Sequence, residues 1–306
     1  MALNSKLMQK NGFMAALLAR EFITKKAGDR INTVSFYAEK YSYGRGTVQN
    51  AINVIKEAGA AELSTHGHMG TYIKSIDYQK IWELTLWETL MGVMPLPYSR
   101  LYEGLATGLY KCAEVANIPF NLAYMRGAKN RLEALSRERY DFAVVSKFTF
   151  FRSSEYETEM IMDFGKKSYV DEHVVIFSDN NKKEPEDGMR VGIDKSSPDL
   201  YLLTLEVCKG KKVNYFELPY NQILTKLLNK ELDMAIWNID EINDRKIQVN
   251  SHKINIPGFN ADDTNAVLVV KKGNEGVKNL LQTIIDKTKV KDFQKKVLTG
   301  KMIPNY

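Results

Sequence analysis

The stretch Gly44-Arg45-Gly46-Thr47-Val48-Gln49-Asn50-Ala51-Ile52-Asn53-Val54-Ile55 decides how the rest of the chain is read. Val48, Ile52 and Ile55 recur at spacings of four and three, which predicts a helix over Arg45 to Ala58 with one buried face. Its opposite face presents Arg45, Thr47, Gln49, Asn50 and Asn53. An apolar back holds such a helix rigid, while short or forked polar groups near its N-terminus suit a duplex groove. Asn and Gln pair bidentately with adenine, Arg pairs with guanine, and Thr donates to phosphate.

Upstream, the pattern predicts a helix from about Leu3 to Lys26, ended by Ala27-Gly28-Asp29, then a short extended piece at Ile31 and Asn32. Thr33 is an N-cap for Val34 to Tyr41, and Ser42-Tyr43-Gly44 makes a turn. Downstream, Gly59 ends the third helix, and Ala60 to Ser64 and Gly70 to Ile73 read as strands around the turn Thr65 to Met69. Three helices and a hairpin predict a winged helix-turn-helix over residues 1–77. The run Gly44 to Ile52, then Glu57-Ala58-Gly59 and the wing ending Gly70-Thr71-Tyr72-Ile73, resembles the GntR-type DNA-binding domain. That resemblance implies DNA contacts from Arg45, Thr47 and Gln49, and from His66, Gly67 or His68 in the wing; Asn50 joins them from the exposed face of the helix. The pair His66-x-His68 also has metal-ligand spacing, but no third ligand is evident, so no metal is expected.

The charge agrees with this division. Residues 1–77 carry ten Lys or Arg against six Asp or Glu, and the remainder is nearly balanced, so most of the net +6 sits in a quarter of the chain. With 306 residues, 44% hydrophobic and 29 Phe and Tyr against 8 Pro, the chain is expected to fold as two domains. Charged or amide residues interrupt every apolar run before a membrane span is reached. Lys6 and Lys10 before Gly12 to Ala19 superficially copy a secretory leader, but apolar spacing continues through Phe22 and Ile23, as in an amphipathic helix. Cys112 and Cys208 are too few for a disulfide framework and are expected to be buried thiols in a cytoplasmic protein.

From Tyr78 onward strands and helices alternate, which predicts an α/β fold for residues 78–306. Strands are expected at Leu90 to Leu96, Pro119 to Met125, Phe142 to Ser146, Val174 to Phe177, Arg190 to Ile193, Lys212 to Phe216, Ala235 to Trp237 and Ala266 to Val270. An internal echo suggests two similar lobes: Leu132, Leu135, Asp141, Ala143, Val144 and Ser146 align without gaps on Leu224, Leu227, Asp233, Ala235, Ile236 and Asn238. With crossovers near Lys166 to Asp171 and Phe259 to Thr264, this order resembles the type II periplasmic-binding-protein fold. The whole arrangement resembles the YhfZ family of bacterial regulators, a GntR-like head on a two-lobed sensor. The segment Ser75 to Thr89, with Ile76, Ile81, Leu84 and Trp87, is a helix suited to joining the domains or forming a dimer.

In such a fold, ligands lie in the cleft between lobes, at loops that follow strands and at helix N-termini. This selects Tyr98, Ser99, Ser146, Lys147, Lys195, Ser196, Ser197, Tyr220 and Asn238 as ligand candidates, with the cationic and hydroxyl groups suited to a carboxylate or phosphate. Trp237 is expected in the core rather than the cleft. Gly165-Lys166-Lys167-Ser168 lacks the first Gly and the Lys-Ser adjacency of a phosphate loop, and no His-Glu-x-x-His, Gly-x-Ser-x-Gly or Gly-x-Gly-x-x-Gly run is present. No catalytic residue and no cofactor are therefore expected. The resulting expectation is a cytoplasmic transcriptional regulator, acting as a homodimer on an operator in double-stranded DNA and responding to a small-molecule effector, with no membrane partner. The alternative is a small-molecule binding protein, or an enzyme on the same scaffold, whose head does not read DNA.

Overall fold

Met14, Leu18 and Phe22, four residues apart, form the buried stripe of helix α1 (Lys10–Phe22) in the computed structural model, which describes residues 10–87, 89–254, 256 and 261–306. The expected helical start at Leu3 to Gln9 lies outside the described residues. α1 also ends earlier than the sequence suggests. Thr24 Oγ1 donates back to Glu21 O at 2.7 Å, and the Asp29 carboxylate takes Lys26 N–H at 2.9 Å, so the chain turns before Lys26. Gly28, at φ +90°, gives its N–H to Ile73 O and leads into β1 (Arg30–Ile31) instead of capping the helix.

Two further helices follow. Thr33 caps α2 (Val34–Tyr41), accepting from Phe36 N at 3.2 Å, and Ser42, in the left-handed region, makes the turn into α3 (Arg45–Glu57). α3 buries Val48, Ala51, Ile52 and Ile55. Glu21 ties α1 to α2, accepting from Lys40 Nζ at 2.7 Å and Tyr41 OH at 3.0 Å. Burial works against its charge, but these hydrogen bonds hold the Glu21 carboxyl below the usual range. β2 (Ala61–Thr65) and β3 (Thr71–Ile76) form an antiparallel hairpin, and β1 adds to the far edge of β3. The hairpin turn is filled by a single 3₁₀ turn at Gly67–Met69.

The chain divides into two compact units. The first gathers the residues up to Leu90 with Ala113–Pro119 and Gly273–Ile285, and so includes α4 (Tyr78–Leu84) and a helix from far along the sequence, Glu275–Ile284. Within this unit Tyr78 OH donates to Lys25 O at 2.6 Å, Arg20 Nε to Thr85 O at 2.8 Å and Asn279 Nδ2 to Ile23 O at 3.0 Å. The helix expected across Ser75 to Thr89 is shorter than predicted, because Ser75 and Ile76 continue β3 and Asp77 caps α4.

The second unit holds two five-stranded sheets of matching design. The first runs β5-β4-β6-β13-β7, from β4 (Leu90–Met94), β5 (Phe120–Tyr124), β6 (Phe142–Ser146), β7 (Thr158–Asp163) and β13 (Ala266–Lys271). The second runs β10-β9-β11-β8-β12, from β8 (His173–Phe177), β9 (Arg190–Ile193), β10 (Asn214–Glu217), β11 (Met234–Asn238) and β12 (Asn250–Lys253). In each, a central parallel pair (β4 with β6, β9 with β11) adjoins an antiparallel strand (β13, β8). The chain crosses between the sheets at 164–172 and again at 254–265, as expected; of the expected return, Phe259 and Asn260 lie outside the described residues.

The sequence echo marks the third strand of each sheet with its preceding helix: α6 (Ala128–Ser136) feeds β6, and α9 (Tyr220–Leu228) feeds β11. The two aspartates do the same work. Asp141 accepts from Met91 N and Asp233 from Arg190 N, each at 2.7 Å, and each returns its own N–H to that residue's carbonyl at 2.8 Å. Ser146 and Asn238 then cap the short helices α7 (Lys147–Phe151) and α10 (Ile239–Asp244). Three further helices complete the chain: α5 (Arg100–Val115), α8 (Pro198–Val207) and, beyond the α11 of the first unit (Glu275–Ile284), α12 (Lys287–Leu298). Gly104 and Gly108 on α5 let α12 approach closely, since a Cβ on Gly108 would lie 2.8 Å from Val290 O. Cys112 and Cys208 are free and buried, and burial pushes the Cys208 thiol up to about 11.

Candidate functional site

The polar face of α3 is formed as the spacing predicts. Arg45, Gln49, Asn50 and Asn53 are exposed, Thr47 is half-buried, and Gly44 supplies no side-chain cap, so the first amides of the helix face outward unblocked. In the wing His66, Gly67 and His68 are exposed, with His66 Nε2 3.1 Å from Ser64 Oγ and its ring edge-on to Tyr72. Between α3, β1 and the wing runs a groove of about 390 Å³ whose lining includes Arg30, Asn32, Gln49, Lys56 and Gly67. Arg30 and Lys56 are basic groups that the α3 pattern alone did not select. Arg30 lies against Gly70, where a Cβ would meet its Nε at 2.6 Å, so it is held at the base of the wing.

A second site lies in the cleft between the two sheets. A cavity of about 70 Å³ is lined from the first lobe by Tyr98 and Tyr102, by the β5–α6 loop at Met125-Arg126-Gly127, and by Arg131 on α6. From the second lobe come His173, Asp194, Ser197, Asp199, Leu200, Tyr220 and Asn238, and from the crossover Tyr169 and Val170. Of the sequence candidates, Tyr98, Ser197, Tyr220 and Asn238 meet here. The others do not line the cavity. Lys147 pairs with Asp163 at 3.1 Å and Asp262 at 3.6 Å, Lys195 is 57% exposed and pairs with Glu217, and Ser196 Oγ donates to Asp194 at 2.6 Å. Ser99 and Ser146 are buried at helix starts, where they accept from Tyr102 N and Thr149 N.

Several contacts hold the lobes together across the cleft. Arg126 Nη1 reaches Asp194 Oδ2 at 3.1 Å, Thr149 Oγ1 donates to Asp199 Oδ1 at 2.8 Å, and Lys129 N–H donates to Ser196 O at 3.2 Å. Gly127, at φ +78°, permits the last approach, because a Cβ there would stand 2.4 Å from Ser196 Oγ. Tyr98 packs 5.5 Å from Tyr220, which stacks flat on Trp237 at 3.9 Å; Trp237 is core, as expected. Tyr220 OH donates to Glu241 at 2.9 Å, and burial pushes both groups up from their ordinary values.

The charged groups of the cavity differ from those the sequence pointed to. Arg131 is 2% exposed and donates from Nε to Val144 O at 3.0 Å, and from its two terminal nitrogens to Met125 O and Tyr169 OH, each at 2.8 Å. His173 Nδ1 sits 2.7 Å from Asp263 Oδ2, both buried. Burial pushes the Asp199 carboxyl up, against hydrogen bonds from Ser146 and Thr149. One signal for Arg131 was present in the sequence: it falls three residues after Ala128 and four before Leu135, on the buried face of an amphipathic helix, where a charge is out of place. Among the described residues no group of three or more His, Cys, Asp or Glu is arranged to hold a metal ion, and no helix is long and apolar enough to cross a membrane.

Comparison with known proteins matches both halves of this architecture. The family model described as YhfZ C-terminal domain matches residues 77–306, and a helix-turn-helix domain model matches residues 26–73. The chain is 30% identical over 313 residues to the uncharacterized protein YhfZ of Escherichia coli (strain K12), with 98% of each chain covered. The crystal structure of YhfZ from Shigella flexneri is similar at a TM-score of 0.62 and 30% identity, covering 75% of this chain and 98% of that one. An amino acid ABC transporter substrate-binding protein from Streptococcus pneumoniae, bound to L-arginine, shares the fold alone, at a TM-score of 0.52 and 10% identity over 73% of this chain and 98% of that one. The chain therefore belongs to the YhfZ family, with an amino-terminal helix-turn-helix domain joined to a binding-protein-like α/β domain.

Proposed function

We propose that the chain is a transcriptional regulator of GntR-like type in which residues 1–77 read double-stranded DNA and residues 78–306 sense a small molecule. The carrying observation is the polar face of α3, with Arg45, Gln49 and Asn50 exposed on a helix whose back is buried. His66, Gly67 and His68 extend that face into the wing, and Arg30 and Lys56 add phosphate contacts along the groove. The protein acts in the cytoplasm as a homodimer, since paired heads reach two half-sites one duplex turn apart. The cleft holds the effector, and no residue in it is assigned a catalytic role.

The effector acts by binding one lobe arrangement more tightly than another. Helix α11 offers a route to the head. It follows β13 of the first lobe after only a short turn, and within its own compact unit its Asn279 bonds to the carbonyl of Ile23, just past α1. The test is selection of duplexes from random genomic fragments by the full chain, then titration at several salt concentrations. Arg45→Ala is expected to cost about 1–3 kcal/mol on the selected duplex and to relax base preference. Equal affinity and preference in the variant would reject α3 as the reading element.

A further inference from the structure

Arg131 is a buried cation whose three protein acceptors, Val144 O, Met125 O and Tyr169 OH, are all neutral. Among the described residues, no Asp or Glu lies within ion-pair distance of it, and a guanidinium has five N–H groups to place. A buried charge without a countercharge is costly, so a fold keeps one only where something repays it. The scaffold itself does not need the charge. In the twin lobe, where Leu224 and Leu227 stand for Leu132 and Leu135, the place of Arg131 is taken by Ile223, which is 2% exposed and packs in an ordinary apolar core.

The remaining charges of the cavity are internally matched. Arg126 is paired with Asp194, and the carboxylate beside His173 is turned onto its ring. Asp199 receives the Thr149 hydroxyl at 2.8 Å. Arg131 is thus the arginine of the lining that no carboxylate pairs with. The rest of the wall is Tyr98, Tyr102, Leu96 and Leu200, which suits an organic body rather than a bare inorganic ion, and about 70 Å³ excludes a nucleotide.

We propose that Arg131 is the anion receptor of the cleft and that the effector is a small organic monocarboxylate. This rests on the effector reading given above and names the ligand class for it. A dianion such as phosphate overfills the single uncompensated charge.

The experiment uses the full chain, with benzoate and L-lactate as probes, benzamide and lactamide as their uncharged counterparts, and inorganic phosphate as the alternative anion. Thermal shift and isothermal titration are run on the wild type and on Arg131→Lys, with mass spectrometry of small acids released from the purified protein. Arg131→Met also strips two carbonyls of their donors, so the lysine variant, which keeps the charge, is the main comparison. A carboxylate probe or a released carboxylic acid is expected to bind, with at least about tenfold loss for its amide and for Arg131→Lys, because lysine cannot form the planar two-pronged contact. Equal binding of the amides, binding of phosphate alone, or unchanged affinity in Arg131→Lys overturns the proposal. A released or bound ligand that is neutral or cationic overturns it while leaving the effector reading intact. If nothing is released and no probe binds, both fall.

Discussion

The two lobes of the second unit solve one structural problem twice and differ in polarity at one buried position of the shared helix. α6 with β6 and α9 with β11 share the buried leucines, the aspartate that clips the first strand, and a polar cap at the strand end. Where the second lobe continues the apolar stripe with Ile223, the first inserts Arg131. The scaffold is thus indifferent to polarity there only if something outside the scaffold accounts for the arginine. The common residues describe folding, and the buried arginine that breaks the apolar stripe points to function.

The largest expected effect comes from forcing the lobes to match. Ile223→Arg buries a guanidinium among Leu224, Leu227 and Trp237 with no acceptors arranged for it, and is expected to cost about 3–5 kcal/mol in urea unfolding. If that variant is as stable as the wild type, a buried arginine at this position is structurally neutral and the contrast between lobes loses its meaning. Gly127→Ala sharpens the comparison at the cleft. Its left-handed backbone and the nearby Ser196 Oγ predict a loss of about 1–2 kcal/mol, together with a more open pair of lobes by small-angle scattering. Unchanged scattering would mean that the Gly127–Ser196 approach does not limit closure.

The smallest effect separates the twin aspartates by pH. Burial pushes Asp141 up, with the Met91 amide opposing, whereas its hydrogen bonds with Arg190 hold Asp233 down. A lowered acid stabilises the fold above its unfolded value, near 3.9, and that stabilisation is lost as pH falls through the folded value. A raised acid contributes most at low pH and loses that contribution as pH rises through the folded value. Asp233→Asn is therefore expected to cost about 1 kcal/mol or less at pH 7, given its half-exposed partner, and less near pH 3. Asp141→Asn is expected to cost less than Asp233→Asn at pH 7 and relatively more near pH 3. Matched pH profiles for the two variants would contradict the assigned environments.

What the sequence revealed follows from where side chains pay for their position. α3 was legible because its apolar residues keep a strict spacing, and the repeat because both copies place Asp before an apolar strand. β12, reading Asn-Ser-His-Lys, and β7, half-buried on both faces, are edge strands without alternation and were not anticipated. α12 was hidden because the middle of its buried stripe, between Val290 and Val297, is Gln294, which spends its amide on Leu101 O and Ser168 O. In the cleft, four residues of strand-following loops, Tyr98, Ser197, Tyr220 and Asn238, line the cavity, but Lys147 and Lys195 find carboxylates distant in sequence, and the cations of the lining are Arg126 and Arg131 instead.

The central claim is that occupancy of the cleft changes how the head holds DNA. The most direct measurement is titration of a selected duplex by the full chain at fixed salt, with and without the acid released from the purified protein. The account predicts that the acid shifts duplex affinity by about fivefold or more, and that Arg131→Lys loses this response while binding DNA alone as the wild type does. Duplex affinity that the acid leaves unchanged, or that does not exceed affinity for random DNA, would contradict it.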